Sequence, residues 1–181
     1  PRPPYPAMLE AYGPALSWDV RSMWTLADLA TEGHPKERRR WLTQACEIDG
    51  DFCADLAALL VGQGEDEAAA KLYRRYWREG TDRIAVANKV EWLVEYDRQQ
   101  GNLESAFEIA RDAAATDSRD GLGTLASLAE ETGDLEEAEK ALRRIAHRHA
   151  GAEDLFAFYG RRIAGGEPRY EASRDALLEE V

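Results

Sequence analysis

The residues able to do chemistry are few, and their spacing suits catalysis poorly. Three histidines occur: His34 beside Pro35, and His147 and His149 at the end of a helical run. Residues two apart fall on different helix faces, whereas a helical metal pair needs i, i+3 or i, i+4 spacing. The adjacent carboxylates Glu130-Glu131 and Glu136-Glu137 lie in regular amphipathic patterns, without the apolar pocket that raises one pKa for acid catalysis. There is no phosphate-cradling glycine loop, nucleophile elbow or dinucleotide fingerprint. The cysteines, Cys46 and Cys53, flank an Asp49-Gly50-Asp51 break. They read as two small apolar residues of neighbouring helices rather than as a disulfide, and without clustered histidines they form no zinc pattern. The expectation is a protein that is not an enzyme and holds no cofactor or metal. Its chemistry is then the recognition chemistry of acidic and aromatic side chains.

Composition narrows the partners. A net charge of −12 argues against nucleic acid, whose phosphates demand a basic surface. With 44% apolar and 32% charged residues the chain resembles a helical globular protein and not a disordered one. No run approaches the ~18 apolar residues of a membrane span, so membrane insertion is not expected. Nineteen arginines against four lysines suggest a GC-rich bacterial genome. The chain starts at Pro1 without Met and ends in a helical pattern, "EASRDALLEEV". We read it as a fragment whose native N-terminus is missing, with a cytoplasmic setting favoured.

The elements that must position any site are helices throughout. Leu122–Ala146 reads as two amphipathic helices joined at Gly133-Asp134, with Leu122, Leu125, Ala126 and Ala129 before the turn. Ala138, Leu142 and Ile145 follow it, in the i, i+3, i+4, i+7 rhythm of a helix with one buried face. The same seven offsets around Gly64 are Cys53, Leu56, Ala57, Leu60, Ala69, Tyr73 and Tyr76, again all apolar or small. Around Gly101 the one exception is Asp97, and around Gly33 only four of the seven positions fit. The turn glycines lie 31, 37 and 32 residues apart. Beyond Gly151, Leu155, Phe158, Tyr159 and Ile163 mark another first helix, turned at Gly165-Gly166. Its partner has Ala172, Ala176 and Leu177 on one side. Asp51, Asp82 and Asp120 or Ser118 stand where helix caps are needed. The expected organisation is a Pro-rich linker with a short helix at Met8–Tyr12 over 1–16, then an all-α solenoid over 17–181. Its repeats fall at approximately 19–50, 51–81, 82–118, 119–151 and 152–181.

A helix–turn–helix unit repeating near 34 residues, with a small residue five after the turn glycine, resembles the tetratricopeptide repeat (TPR). The segments that carry the resemblance are "LVGQGEDEAAAKLY", "DRQQGNLESAFEIA" and "AEETGDLEEAEKAL". The family's usual first-helix Trp and Gly, and the Pro after the second helix, are absent. Ala57, Val94 and Ala126 stand where that Gly is common. The resemblance implies a right-handed superhelix of about four to five TPR-like repeats, whose first helices line a concave groove for a peptide or partner segment. It places Met23, Trp24, Asn88, Glu91, Trp92, Glu95, Arg98, Ser127, Glu130 and Glu131 on the groove side. The second-helix arginines Arg38–Arg40, Arg74-Arg75, Arg111 and Arg143-Arg144 would lie on the opposite face. Some family members clamp acidic chaperone tails with Lys, Arg and Asn. Only Asn88 and Arg98, beside Glu91 and Glu95, could serve that role here, so it is not expected.

The expected function is a non-catalytic protein–protein interaction module that takes a peptide or partner segment, basic in character, into an acidic concave groove. The alternative is a regulatory or spacer solenoid domain of a larger multidomain enzyme or sensor, packed on its neighbour. Self-association through open solenoid ends is a further possibility, because terminal apolar faces need cover.

Overall fold

Four short turns carry the architecture, and each is built on a glycine. Gly64, Gly101, Gly133 and Gly166 have φ of 75°, 77°, 86° and 89°, the left-handed region in which a Cβ is strained. At three of them the residue after the glycine donates its N–H five residues back: Glu65 to Leu60, Asn102 to Asp97 and Glu167 to Arg162. This closes the preceding helix and reverses the chain within a few residues.

The computed structural model describes residues 7, 9–10, 19–30, 34–149 and 151–180. The Pro-rich opening and the Gly33 turn lie outside the described residues, as does most of the short helix expected at Met8–Tyr12. No strand occurs among the described residues. The chain divides into two compact units, Pro1–Asp82 and Arg83–Val181.

In the first unit, α1 (Val20–Leu29) packs on α2 (Pro35–Ile48), a 3-10 turn follows (Gly50–Phe52), and α3 (Cys53–Val61) packs on α4 (Asp66–Glu79). Asp19 caps α1 by accepting the Arg21 N–H. At the next junction it is Asp49, and not Asp51, that caps, accepting the Asp51 N–H at 2.9 Å. Asp51 instead accepts the Thr81 N–H and hydroxyl at 2.8 and 2.6 Å, tying the end of this unit back to its middle.

The expectation for the two cysteines is overturned. Cys46, in the last turn of α2, and Cys53, which opens α3, form a disulfide. The 3-10 turn brings the two helix ends together, with the Cα atoms 4.6 Å apart. Sequence spacing alone could not show that proximity, because it depends on the intervening turn.

The second unit contains α5 (Arg83–Ala87), α6 (Glu91–Gln99), α7 (Leu103–Ala115), α8 (Arg119–Thr132), α9 (Leu135–His149), α10 (Ala152–Ala164) and α11 (Arg169–Glu180). From α6 onward each helix packs on the next, and α6 also touches α8. Ser118 caps α8, accepting the Gly121 N–H at 3.1 Å, so Asp120 lies inside the helix. Leu93, Ile109, Leu122, Ile145, Leu155, Phe158 and Tyr159 are fully buried along the unit. The small residue after each turn has a clear purpose. Ala69, Ala106 and Ala138 are wholly buried, where a larger side chain would push the two helices of a hairpin apart.

Asp97, the exception in the Gly101 repeat, is also wholly buried. The Ser105 hydroxyl donates to its Oδ2 at 2.7 Å, and its backbone carbonyl takes the Asn102 N–H. The carboxylate therefore sits against the first turn of α7, where helix-dipole charge favours an anion. A polar residue at a core position is accounted for by that partner.

The last hairpin differs from the expectation. Ala172 and Ala176 are exposed and Leu177 is half-buried. α11 is held instead by Tyr170, only 4% exposed, whose ring meets Phe158 edge-on at 5.5 Å and stacks on Tyr159 at 5.8 Å.

Candidate functional site

Helix periodicity brings one set of side chains to the seam between α6 and α8. Glu91, Val94, Glu95 and Arg98 recur at i, i+3, i+4 and i+7 on α6, and Thr124, Ser127, Leu128 and Glu131 do the same on α8. Because α6 and α8 touch, these eight residues line one cavity of about 180 Å³. Five of them, Glu91, Glu95, Arg98, Ser127 and Glu131, are among those the family geometry placed on the groove side. Val94 and Leu128 were missed. Both are buried, and each contributes apolar atoms to the lining. Val94 falls in the buried stripe of the Gly101 repeat, and Leu128 belongs neither to that stripe's equivalent in the Gly133 repeat nor to the groove-side set. Its spacing from Thr124 and Glu131 was the available signal.

The electrostatics are acidic with one internal cation. The Arg98 guanidinium donates to both Glu95 oxygens, at 2.6 and 2.7 Å, and reaches Glu131 at 3.2 Å. Gln99 donates to Glu95 at 2.6 Å. Hydrogen bonds from Arg98 and then Gln99 hold the Glu95 carboxyl at a pKa of about 2, well below the usual 4.5. Glu91 makes no ion pair among the described residues. Three carboxylates against one guanidinium leave the lining net negative.

A depressed folded-state pKa stabilises the fold above the unfolded value and is lost as pH falls through the folded value. The Glu95 contribution is therefore complete above pH 4.5 and disappears toward pH 2. We expect the urea midpoint of the wild type to fall more steeply over that window than that of Glu95→Gln, and less so in high salt. Parallel curves would mean that the Arg98 pair contributes nothing, as half-exposed pairs sometimes do.

The remaining groove-side residues do not join this cavity. Met23 is 2% exposed and belongs to the core of the first unit, so it has no surface to offer a ligand. Trp24, 44% exposed, donates its indole N–H to Asp55 on α3 at 2.9 Å. Trp92 is half-buried and stacks on Tyr96, one turn along its own helix, at 5.3 Å. Asn88 is exposed just past α5. Glu130 turns the other way from its neighbour Glu131. It is gripped by Arg161 and Arg162 of α10 at 2.8 and 3.0 Å, and the Arg161 hydrogen bonds lower its pKa. It is a strut between hairpins.

The second-helix arginines are engaged in the same way. Arg39 on α2 pairs with Glu65 ahead of α4, and Arg111 on α7 pairs with Glu137 on α9. Both pairs span 26 residues, so one inter-hairpin link recurs in each unit. Arg143 pairs with Glu139, and Arg144 with Asp117, a residue held at φ 58°. No cluster of three or more potential metal ligands occurs among the described residues, and no described helix is long and apolar enough to cross a membrane.

Helical hairpins closed by left-handed glycines, with a buried alanine five residues on, define a TPR-like helical-repeat fold. A solved structure agrees: the crystal structure of MamA is similar to this chain with a TM-score of 0.62 and 14% identity. The similarity covers 83% of this chain and 89% of that one. No protein-family model matches the sequence, and no curated protein does.

Proposed function

We propose that this chain is a non-catalytic protein-interaction module that receives a basic segment of a partner protein at the seam between α6 and α8. The observation that carries this reading is the cavity itself, in which Glu91, Glu95 and Glu131 surround the apolar atoms of Val94 and Leu128. Its 180 Å³ is smaller than the ~300–1,000 Å³ of a typical small-molecule pocket and suits one long side chain of a larger ligand. An arginine or lysine of the partner would lay its stem on Val94 and Leu128 and its charge between Glu91 and Glu131. Arg98 stays on Glu95, its closer partner, and gives up only the longer contact to Glu131. Attraction of this kind sets association rate and orientation more than final affinity.

The test uses the whole chain and an array of arginine- and lysine-bearing peptides read by fluorescence anisotropy. Glu91→Lys with Glu95→Lys should weaken the best binders by at least about tenfold, since like charges then face the ligand. Raising salt should weaken the wild type alone. If binding survives the double reversal in a protein with an unchanged circular dichroism spectrum, the seam is not the binding site.

A further inference from the structure

The Cys46–Cys53 bond sits in a junction already built by other contacts. Asp49 caps the 3-10 turn, and Asp51 holds Thr81. Gly50 lies so close to α4 that a Cβ there would come within 2.7 Å of the Glu79 Cβ. In the folded chain these contacts keep the two cysteines side by side, with Cα atoms 4.6 Å apart. High effective concentration of this kind favours closure of a disulfide over a mixed disulfide with solvent thiols. Both cysteines are buried, at 2% and 0% exposure. An external thiolate therefore cannot reach either sulfur unless the junction opens. The Arg75 guanidinium, itself paired with Glu79, lies 3.9 Å from the Cys46 sulfur.

We propose that Cys46 and Cys53 are an oxidative modification site, cross-linked during folding by a disulfide donor of the dithiol-exchange class, and that the chain folds in an oxidising compartment. The Cys46 thiolate attacks the donor disulfide, forming a mixed disulfide and expelling one donor sulfur as thiolate. Cys53 then loses its proton and attacks the Cys46 sulfur, releasing the second donor sulfur. Two protein thiols are oxidised, one donor disulfide is reduced to a dithiol, and the two protons end on the donor. Closure of α2, α3 and α4 over the bond then shields it. Cross-links of this kind form where the compartment is oxidising, so the cytoplasmic setting favoured from sequence gives way to an oxidising one.

The experiment makes the same chain, residues 1–181, by an exported route and by a reducing cytosolic route. Each product is denatured in alkylating reagent without reductant and its mass is measured. The exported protein should take up no label, and two labels only after reduction. Native protein should be reduced by dithiothreitol at least about tenfold more slowly than the same protein in urea, because access to the sulfurs is what limits exchange. Closing a loop of this separation should raise the folding constant by roughly 50-fold. The urea midpoint should therefore drop on reduction, while Cys46→Ala with Cys53→Ala becomes indifferent to reductant. Should that variant fail to fold, the wild type with and without reductant makes the same comparison. Two labels on the unreduced exported protein would overturn the site. Equal reduction rates in native and denatured protein would overturn the shielding.

Discussion

Phe158→Ala is expected to destabilise the second unit by roughly 3–5 kcal/mol, the range for removing a fully buried aromatic side chain. Phe158 is 0% exposed and its ring meets those of Tyr159 and Tyr170. Part of the cost is lost transfer energy, and part is the cavity that the surrounding backbone cannot collapse into. The location enlarges the effect on α11. Tyr170 is the only buried residue among those described in that helix, so loosening its aromatic partner frees the whole last hairpin. Urea unfolding should show the drop in stability, and hydrogen exchange should show α11 amides approaching the unprotected limit. Phe156, two residues earlier and 40% exposed, supplies the control. Phe156→Ala should change stability by no more than about 0.5 kcal/mol. Equal effects at the two positions would mean that the hairpin is not held by this cluster.

The second large effect concerns two glycines in one helix. Gly121 and Gly123 both lie in α8, where Gly→Ala ordinarily gains up to about 1 kcal/mol of helix propensity. At Gly121 a Cβ would come within 2.6 Å of the Ala113 carbonyl oxygen and 2.7 Å of its carbon. These are backbone atoms at the end of α7, and they cannot turn aside as a side-chain tip would. Gly121→Val should therefore cost about 3 kcal/mol, at the upper end of the usual range for overpacking. At Gly123 a Cβ would meet nothing within 4 Å. Gly123→Ala should stabilise by roughly 0.5–1 kcal/mol. The opposite signs are the prediction, read from urea midpoints at constant m-value. If Gly121→Val were neutral, the close approach of α7 to α8 would be wrong.

What was legible in the sequence is what repeats. A buried stripe at helical spacing and a glycine after each first helix are properties of one hairpin at a time, so they appear in any window of the chain. That is why the hairpins around Gly64, Gly101 and Gly133 are readable, and why Leu122, Ile145 and Phe158 fall in the interior. The weaker readings failed where a residue answers to a neighbour across a turn or on another helix. Asp97 broke the apolar pattern because its partner is Ser105 across the turn. Tyr170 anchors α11 through ring contacts with Phe158 and Tyr159, one helix back. Asp51 was read as a cap, yet its ligand is the Thr81 N–H and hydroxyl, 30 residues on.

The candidate site divides along the same line. The family resemblance placed Glu91, Glu95 and Arg98 on the groove side of one helix, and Ser127 with Glu131 on that of another. Only the packing of α6 against α8 joined the two faces into a cavity and added Val94 and Leu128 to it. It also separated adjacent glutamates, giving Glu131 to the seam and Glu130 to the arginines of α10. Helical periodicity is a one-dimensional property that the chain carries by itself. Gly121 differs from Gly123, Glu130 from Glu131, and a thiol pair from a disulfide, only through distances between packed helices, and those distances exist only once the hairpins have formed and packed.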